Sequence, residues 1–202
     1  TTIVNQHNDR DTSVNWMPLD HVGGVVMFHI RDVYNKANQV QVPTDYVLTN
    51  PLRWLDLIDQ YRATTTWAPN FAFALINDRA DEISEGSWDL SSMRFVLNGG
   101  EAIVAKTARR FLKLLAPHGL KSDCMNPSWG MSETCSGVAY TVFRLETTSD
   151  SDPYVEIGLP IPGFCMRIVD KQEQVVSEGE IGALQVKGPS VLKGYFKNPE
   201  QN

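Results

Sequence analysis

The 202-residue sequence predicts an α/β fold: a parallel sheet covered by helices, followed by a small β-rich unit like part of a distorted barrel. Three observations predict it. Over the first two thirds, short β-branched apolar runs alternate with helical patterns, the signature of strands joined by helical crossovers. Glycine, proline and asparagine fall where strands should hand over to helices. After Tyr140 the helical period disappears and short strand-like runs follow one another through tight turns.

In chain order, 13–17 predicts a strand, 23–34 a helix and 39–42 a second short strand. Asn50 can cap the next helix with Pro51 pre-set at its first position, and Leu52, Leu55, Ile58 and Tyr61 form its apolar face. A third strand is expected at 64–67, then Pro69 and an apolar helical stretch to Ile76. A fourth strand, 94–97, ends at Asn98-Gly99-Gly100. The clearest helix runs from about Glu101 to Ala116, with Val104, Ala108, Phe111, Leu112 and Leu115 on one face, and Pro117 and Gly119 stop it. Another strand is expected near 122–125. The polar run 147–153 separates a predicted α/β unit (1–147) from a β-rich unit (148–202), whose strands are expected at 164–169, 174–176 and 181–186. Ligands of such sheets bind where loops leave the carboxyl ends of the strands.

Composition excludes several classes. Hydrophobic content of 42% and charged content of 21% are those of a soluble globular protein. A formal net charge of -6 argues against a general nucleic-acid surface. No apolar run approaches membrane-span length, and the N-terminus lacks both a signal peptide and an initiator Met, so the chain is expected to begin inside a longer polypeptide. Cys124, Cys135 and Cys165 are odd in number and lack CxxC spacing; they predict reduced core or pocket residues in a cytoplasmic setting.

Two segments carry chemistry. In Phe95-Val96-Leu97-Asn98-Gly99-Gly100-Glu101-Ala102, paired glycines permit close approach of a flat ligand, and a following helix start would offer free N–H donors. The plainer reading is a tight strand-to-helix turn with Glu101 at the positive helix end. Pro127-Ser128-Trp129-Gly130-Met131-Ser132-Glu133-Thr134 places an aromatic face, a glycine, a hydroxyl and a carboxylate within five residues. The aromatic can stack on a base, the hydroxyl can donate to a phosphate and the carboxylate can hold Mg²⁺; the plainer reading is an anchoring Trp and a helix cap. Gly130-Met131-Ser132-Glu133-Thr134 nearly spells the nucleophile elbow of serine hydrolases, with His7, His21, His29 or His118 as nominal bases, but Thr134 replaces the final glycine.

Taken in order, Pro18-Leu19-Asp20-His21-Val22-Gly23-Gly24, Asn98-Gly99-Gly100-Glu101-Ala102, Trp129-Gly130-Met131-Ser132-Glu133-Thr134, Gly158-Leu159-Pro160-Ile161-Pro162-Gly163, and the strand and turn 179–188 and 194–196 resemble the adenylate-forming superfamily. Acyl-CoA synthetases, fatty acyl-AMP ligases and nonribosomal peptide synthetase adenylation domains belong to it. The resemblance implies that a carboxylate attacks the α-phosphate of ATP, and that the acyl group then passes to CoA or a carrier protein's phosphopantetheine thiol. It implies that Gly99, Gly100, Glu101 and Ala102, with Asn98, line the adenine and acyl pockets, joined by Gly130. Trp129 stands where a Tyr usually stacks on adenine, Ser132 matches the α-phosphate contact, Glu133 the Mg²⁺ ligand, and His21 the residue closing the acyl pocket, to which Val22, Gly24 and Met131 also belong.

Departures narrow the expectation. Val22 occupies the position where amino-acid-activating domains carry an Asp, although Asp20 lies close by. An ammonium buried without a carboxylate is costly, so an aryl, fatty, 2-hydroxy or 2-oxo acid is expected. No phosphate loop precedes the first motif and the sequence stops before the expected ribose-binding Asp, so the 202 residues alone are expected to be inactive without the remaining parts of the domain. A degenerate, non-catalytic scaffold is the competing class. Trp129, Ser132 and Glu133 argue against it.

Overall fold

The computed structural model describes residues 1–201. Seven strands form one sheet in the order β2-β1-β3-β4-β5-β6-β7: β1 Thr12–Asn15, β2 Asn38–Gln41, β3 Thr65–Ala68, β4 Phe95–Asn98, β5 Met125–Gly130, β6 Gly137–Tyr140 and β7 Leu159–Pro160. The first five are parallel, as the alternating pattern predicts, and β6 and β7 add antiparallel strands that make the sheet mixed. β8 Cys165–Val169 and β9 Ala183–Lys187 form a separate antiparallel pair. The run at 174–176 contributes only a single bridge, Val169 to Val175.

Helices cover both faces of the parallel part, which is why β3 and β4 are buried along their whole length. One face carries α1, a wide π-helical segment Gly23–Ile30 that continues into the α-turn Arg31–Asn35. Its Phe28 stacks on Trp67 of β3, and Gly23 lies so close to the Trp67 ring that any side chain there would collide. The opposite face packs under α3 Leu52–Gln60, α4 Asn70–Asn77 and α6 Ala105–Leu115, whose Trp54, Phe73 and Phe111 form one aromatic cluster. The Trp54 indole N–H donates to Thr66 of β3 at 2.9 Å, so this large ring is buried with its polar atom satisfied.

Four local expectations change. Two short helices, α2 Thr44–Thr49 and α5 Ala80–Glu85, lack a pattern long enough to read in advance. Tyr61 closes α3 and is 45% exposed rather than part of its apolar face. The expected helix at Glu101 begins only at Ala105, because Val104 is extended and donates its N–H to the Asn70 side chain at 3.0 Å. The strand expected near 122–125 instead starts at Met125 and runs through Pro127, Ser128 and Trp129. Of the three free cysteines, Cys124 is buried, its thiol pushed up to about 12 by burial, whereas Cys135 and Cys165 are exposed. No described helix is long and apolar enough to cross a membrane.

Candidate active site

The carboxyl ends of β1, β3, β4 and β5 deliver four loops to one edge of the sheet, and two adjoining cavities open there. The larger, of about 350 Å³, is lined by Gly100, Glu101, Ala102 and Ile103 on one side, Ser128 to Gly130 beneath, and Pro153, Tyr154, Val155 and Ile157 opposite. The smaller, of about 40 Å³, is lined by His21, Val22, Met27, Trp67, Leu97, Gly99 and Met131 among others. Gly100, Ser128 and Gly130 border both, so β5 is a common wall.

Glycine is required where the walls approach. A Cβ on Gly99 would run into the Ser128 hydroxyl and lie 2.9 Å from the Ser128 carbonyl oxygen. Gly100 has φ +89°, a left-handed conformation that costs other residues about 1–2 kcal/mol, and the space where its side chain would sit is open. Glu101 does meet a positive helix end, but that of α4: its carboxylate accepts from the Phe71 N–H at 2.6 Å. With the Asn70–Val104 bond, this ties the starts of α4 and α6 together and fixes the glycine loop between them.

His21 lies at the rim of the smaller cavity. Its ring stacks on Trp67, centroids 5.8 Å apart and planes at 24°, and Nδ1 accepts the Gly23 N–H at 3.0 Å. Val22 lines this cavity and Asp20 does not, and no carboxylate lines it among the described residues. Two expected lining residues lie outside. Gly24 is packed against the Pro18 carbonyl. Asn98 is wholly buried, with its amide 3.9 Å from the Met125 sulfur, because strand alternation gives the lining place to Leu97.

Ser132 and Glu133 follow Met131 on a single tight turn, Ser132–Thr134, closed by Thr134, whose hydroxyl accepts the Met131 N–H at 3.0 Å and donates to the Ser136 carbonyl at 2.8 Å. Ser132 is exposed and Glu133 half-buried. Tyr195 donates its hydroxyl to Glu133 Oε1 at 2.7 Å, which favours the charged carboxylate. One hard carboxylate fits Mg²⁺, which keeps waters and takes few protein ligands beside nucleotide phosphates; no group of three or more His, Cys, Asp or Glu is gathered among the described residues. The hydrolase alternative lacks its hydrogen bond: no histidine is bonded to Ser132 among the described residues. His21 is engaged by Gly23, His29 by Gln39, His118 by the Ile83 carbonyl, and His7 lies with Arg31 and Arg94 at the far end of the sheet.

Sequence reasoning missed the wall at 153–157. Its anchor is Arg109 of α6, which donates to Asp150 at 2.6 Å, to the Leu145 carbonyl at 2.7 Å and to the Thr148 carbonyl. The one cue was Tyr154, an aromatic directly after a polar loop and 86% exposed.

The profile of the AMP-binding enzymes matches residues 1–196. The chain is 39% identical over 195 residues to an atromentin synthetase of Paxillus involutus, covering 93% of this chain and 20% of that protein. It spans about a fifth of the length of the curated relatives it matches. The structure superposes with a TM-score of 0.93 on the adenylation domain of a keto acid-selecting nonribosomal peptide synthetase module bound to keto acyl adenylate, at 46% identity over 98% of this chain and 42% of the other. A McyG adenylation–carrier protein structure complexed with phenylalanyl-adenylate gives a TM-score of 0.95 at 42% identity, with 98% and 31% covered.

Proposed function

The chain belongs to the AMP-binding enzyme family, and from that premise we propose that it forms the centre of an acid–AMP ligase domain that loads a non-amino acid onto a thiol. The observation that carries this reading is the pair of cavities sharing the β5 wall. An acyl-adenylate needs a nucleotide pocket and an acid pocket meeting at one point, and Gly100, Ser128 and Gly130 stand at that junction.

In this reading Trp129 offers its face to adenine, and the glycine loop lets the ring lie close to the backbone. The substrate carboxylate oxygen attacks the α-phosphorus of ATP, forming the acyl–phosphate bond as pyrophosphate leaves. Ser132 would donate to the α-phosphate, and Glu133 would hold Mg²⁺, whose charge would offset that of the phosphates. His21 packs over the acid end of the smaller pocket. Catalysis is mainly positioning, since the tight turn and the tied glycine loop hold these groups before substrate arrives. The acyl group then passes to a carrier protein's phosphopantetheine or to CoA. We also propose that 1–147 and 148–202 are two subdomains of this one domain that work together, since β7 joins the main sheet and 153–157 walls the larger cavity.

The acid class follows from Val22. With no carboxylate lining the acid pocket, a substrate ammonium would be buried unpaired at a cost of several kcal/mol, on the order of a broken buried ion pair. A 2-oxo acid heads the candidates, ahead of 2-hydroxy, aryl and fatty acids, because the keto acid-selecting domain is the more identical of the two structural relatives. The test is acid-dependent ATP–pyrophosphate exchange by the full polypeptide encoded by the gene, over matched amino, 2-hydroxy and 2-oxo acids with aryl and fatty controls. Exchange with a 2-oxo acid but not its amino analogue supports the reading. Preference for the amino acid sinks the Val22 argument, and silence across the panel favours the scaffold.

A further inference from the structure

The segment 188–196 has no place in the function proposed above, yet it is fastened to the Ser132–Thr134 turn at three points. The Leu192 N–H donates to the Glu133 carbonyl at 2.7 Å, the Ser190 hydroxyl to the Thr134 carbonyl at 2.8 Å, and the Tyr195 hydroxyl to Glu133 Oε1 at 2.7 Å. Glu133 is thus held at both its backbone and its carboxylate by residues more than fifty positions further along the chain. The turn itself spans three residues and offers no other side chain to fix that carboxylate.

A half-buried Glu on a short turn is free to rotate about three side-chain bonds, and ordering it for a ligand has an entropic cost. A donor already in place removes part of that cost. It also uses only one lone pair of one oxygen, so the carboxylate keeps lone pairs to accept from a cation or its waters. A phenol is suited to this, because it is rigid and does not compete with the cation as a second positive charge would.

We propose that Tyr195 is a positioning residue that pre-orders the Glu133 carboxylate for the divalent cation accompanying the nucleotide, an inference resting on the reading of Glu133 as the cation ligand. The segment 188–196 then links the cation site to the chain beyond the β8–β9 pair.

Binding of α,β-methylene-ATP to the full encoded polypeptide, measured by calorimetry in excess Mg²⁺ and in chelator, isolates the cation-dependent gain in affinity. Tyr195→Phe is expected to shrink that gain by about three- to tenfold, the scale of one charge-assisted hydrogen bond at a half-exposed site. Affinity in chelator should stay within about twofold, and so should the gain in Ser190→Ala, which loosens the segment but leaves the carboxylate contact. An unchanged gain in Tyr195→Phe, or an equal loss in Ser190→Ala, overturns the inference. Glu133→Gln separates it from its premise: if Glu133→Gln keeps the full gain, Glu133 is no cation ligand and both fall. If Glu133→Gln loses the gain while Tyr195→Phe keeps it, only the role of Tyr195 falls.

Discussion

The two ends of the parallel sheet are built on opposite principles. At the amino ends of β1, β3 and β4, charged groups are paired, with Asp11, Arg31 and Asp32 buried and Arg94 partly exposed. Arg94 grips Asp11, which also accepts from Thr64 at 2.7 Å and from the Asn8 N–H at 3.0 Å. Arg31 pairs with Asp32 at 2.6 Å, Ser13 donates to Asp32, and His7 lies between the two arginines. At the carboxyl ends there are glycines, aromatic faces and two cavities. One end is dominated by paired charge between the strand starts; the other by glycines and aromatic faces around two cavities. The comparison separates what keeps the chain folded from what makes it bind.

Four experiments would break or sharpen that division. Asp11→Ala should have the largest effect, because it leaves Arg94 and its neighbours without their shared carboxylate; breaking such a pair costs about 3–5 kcal/mol. The thermal midpoint should fall by about 10 °C, with nucleotide binding by the folded fraction unchanged. A loss of binding without a loss of stability would refute the division. Gly99→Ala should do the reverse, lowering ATP–pyrophosphate exchange of the full polypeptide by about 10²-fold as the loop shifts against Ser128, while the midpoint moves only a few degrees.

The third concerns pH. Burial is the chief reason that His7 titrates at about 4 instead of 6.5, reinforced by Arg31 and Arg94 and partly opposed by Asp11. The unfolded chain therefore binds this proton more tightly. Stability is full above about pH 6.5 and falls by up to about 3 kcal/mol as pH drops to 4. Burial works against the Asp11 carboxylate too, but hydrogen bonds from His7, Arg94 and Thr64 win and hold it well below the usual range. Its contribution is lost only below about pH 4. Urea midpoints across this window should show the slope, and His7→Gln should flatten it between 6.5 and 4. A slope that survives His7→Gln would place the sensitive group elsewhere. The smallest effect is expected from Glu101→Ala, which removes an exposed cap on α4 and should cost about 1 kcal/mol, read as a drop of a few degrees in the midpoint.

Local patterns were legible where one element sets its own terms. The amphipathic run of α6 and the strand ending at Gly99-Gly100 could be read directly, because period and breaker lie within a dozen residues. The start of α6 could not, since its first turn is displaced by bonds to Asn70 and Phe71, thirty or more residues away. β5 was misplaced because Pro127 and Gly130 look like a loop; Pro127 lacks an N–H, but its carbonyl accepts from Thr141 on the returning strand side at 3.1 Å. At the site, the motifs located Trp129, the glycine loop and His21. Nothing local marked 153–157 as a wall or Tyr195 as a partner of Glu133, because both are brought in by distant anchors.

The common wall has a consequence for how such a domain diverges. His21, Val22, Met27 and Trp67 border the smaller cavity and not the larger, and come from α1, β3 and the loop before α1, so in the proposed reading a change at Val22 would alter the acid pocket and leave the larger cavity as it is. Gly100, Ser128 and Gly130 border both cavities, so in the proposed reading every change there would be judged by two ligands at once. New acid preferences should therefore accumulate on the α1 side of the pocket, with the β5 strand as the fixed axis around which the repertoire turns.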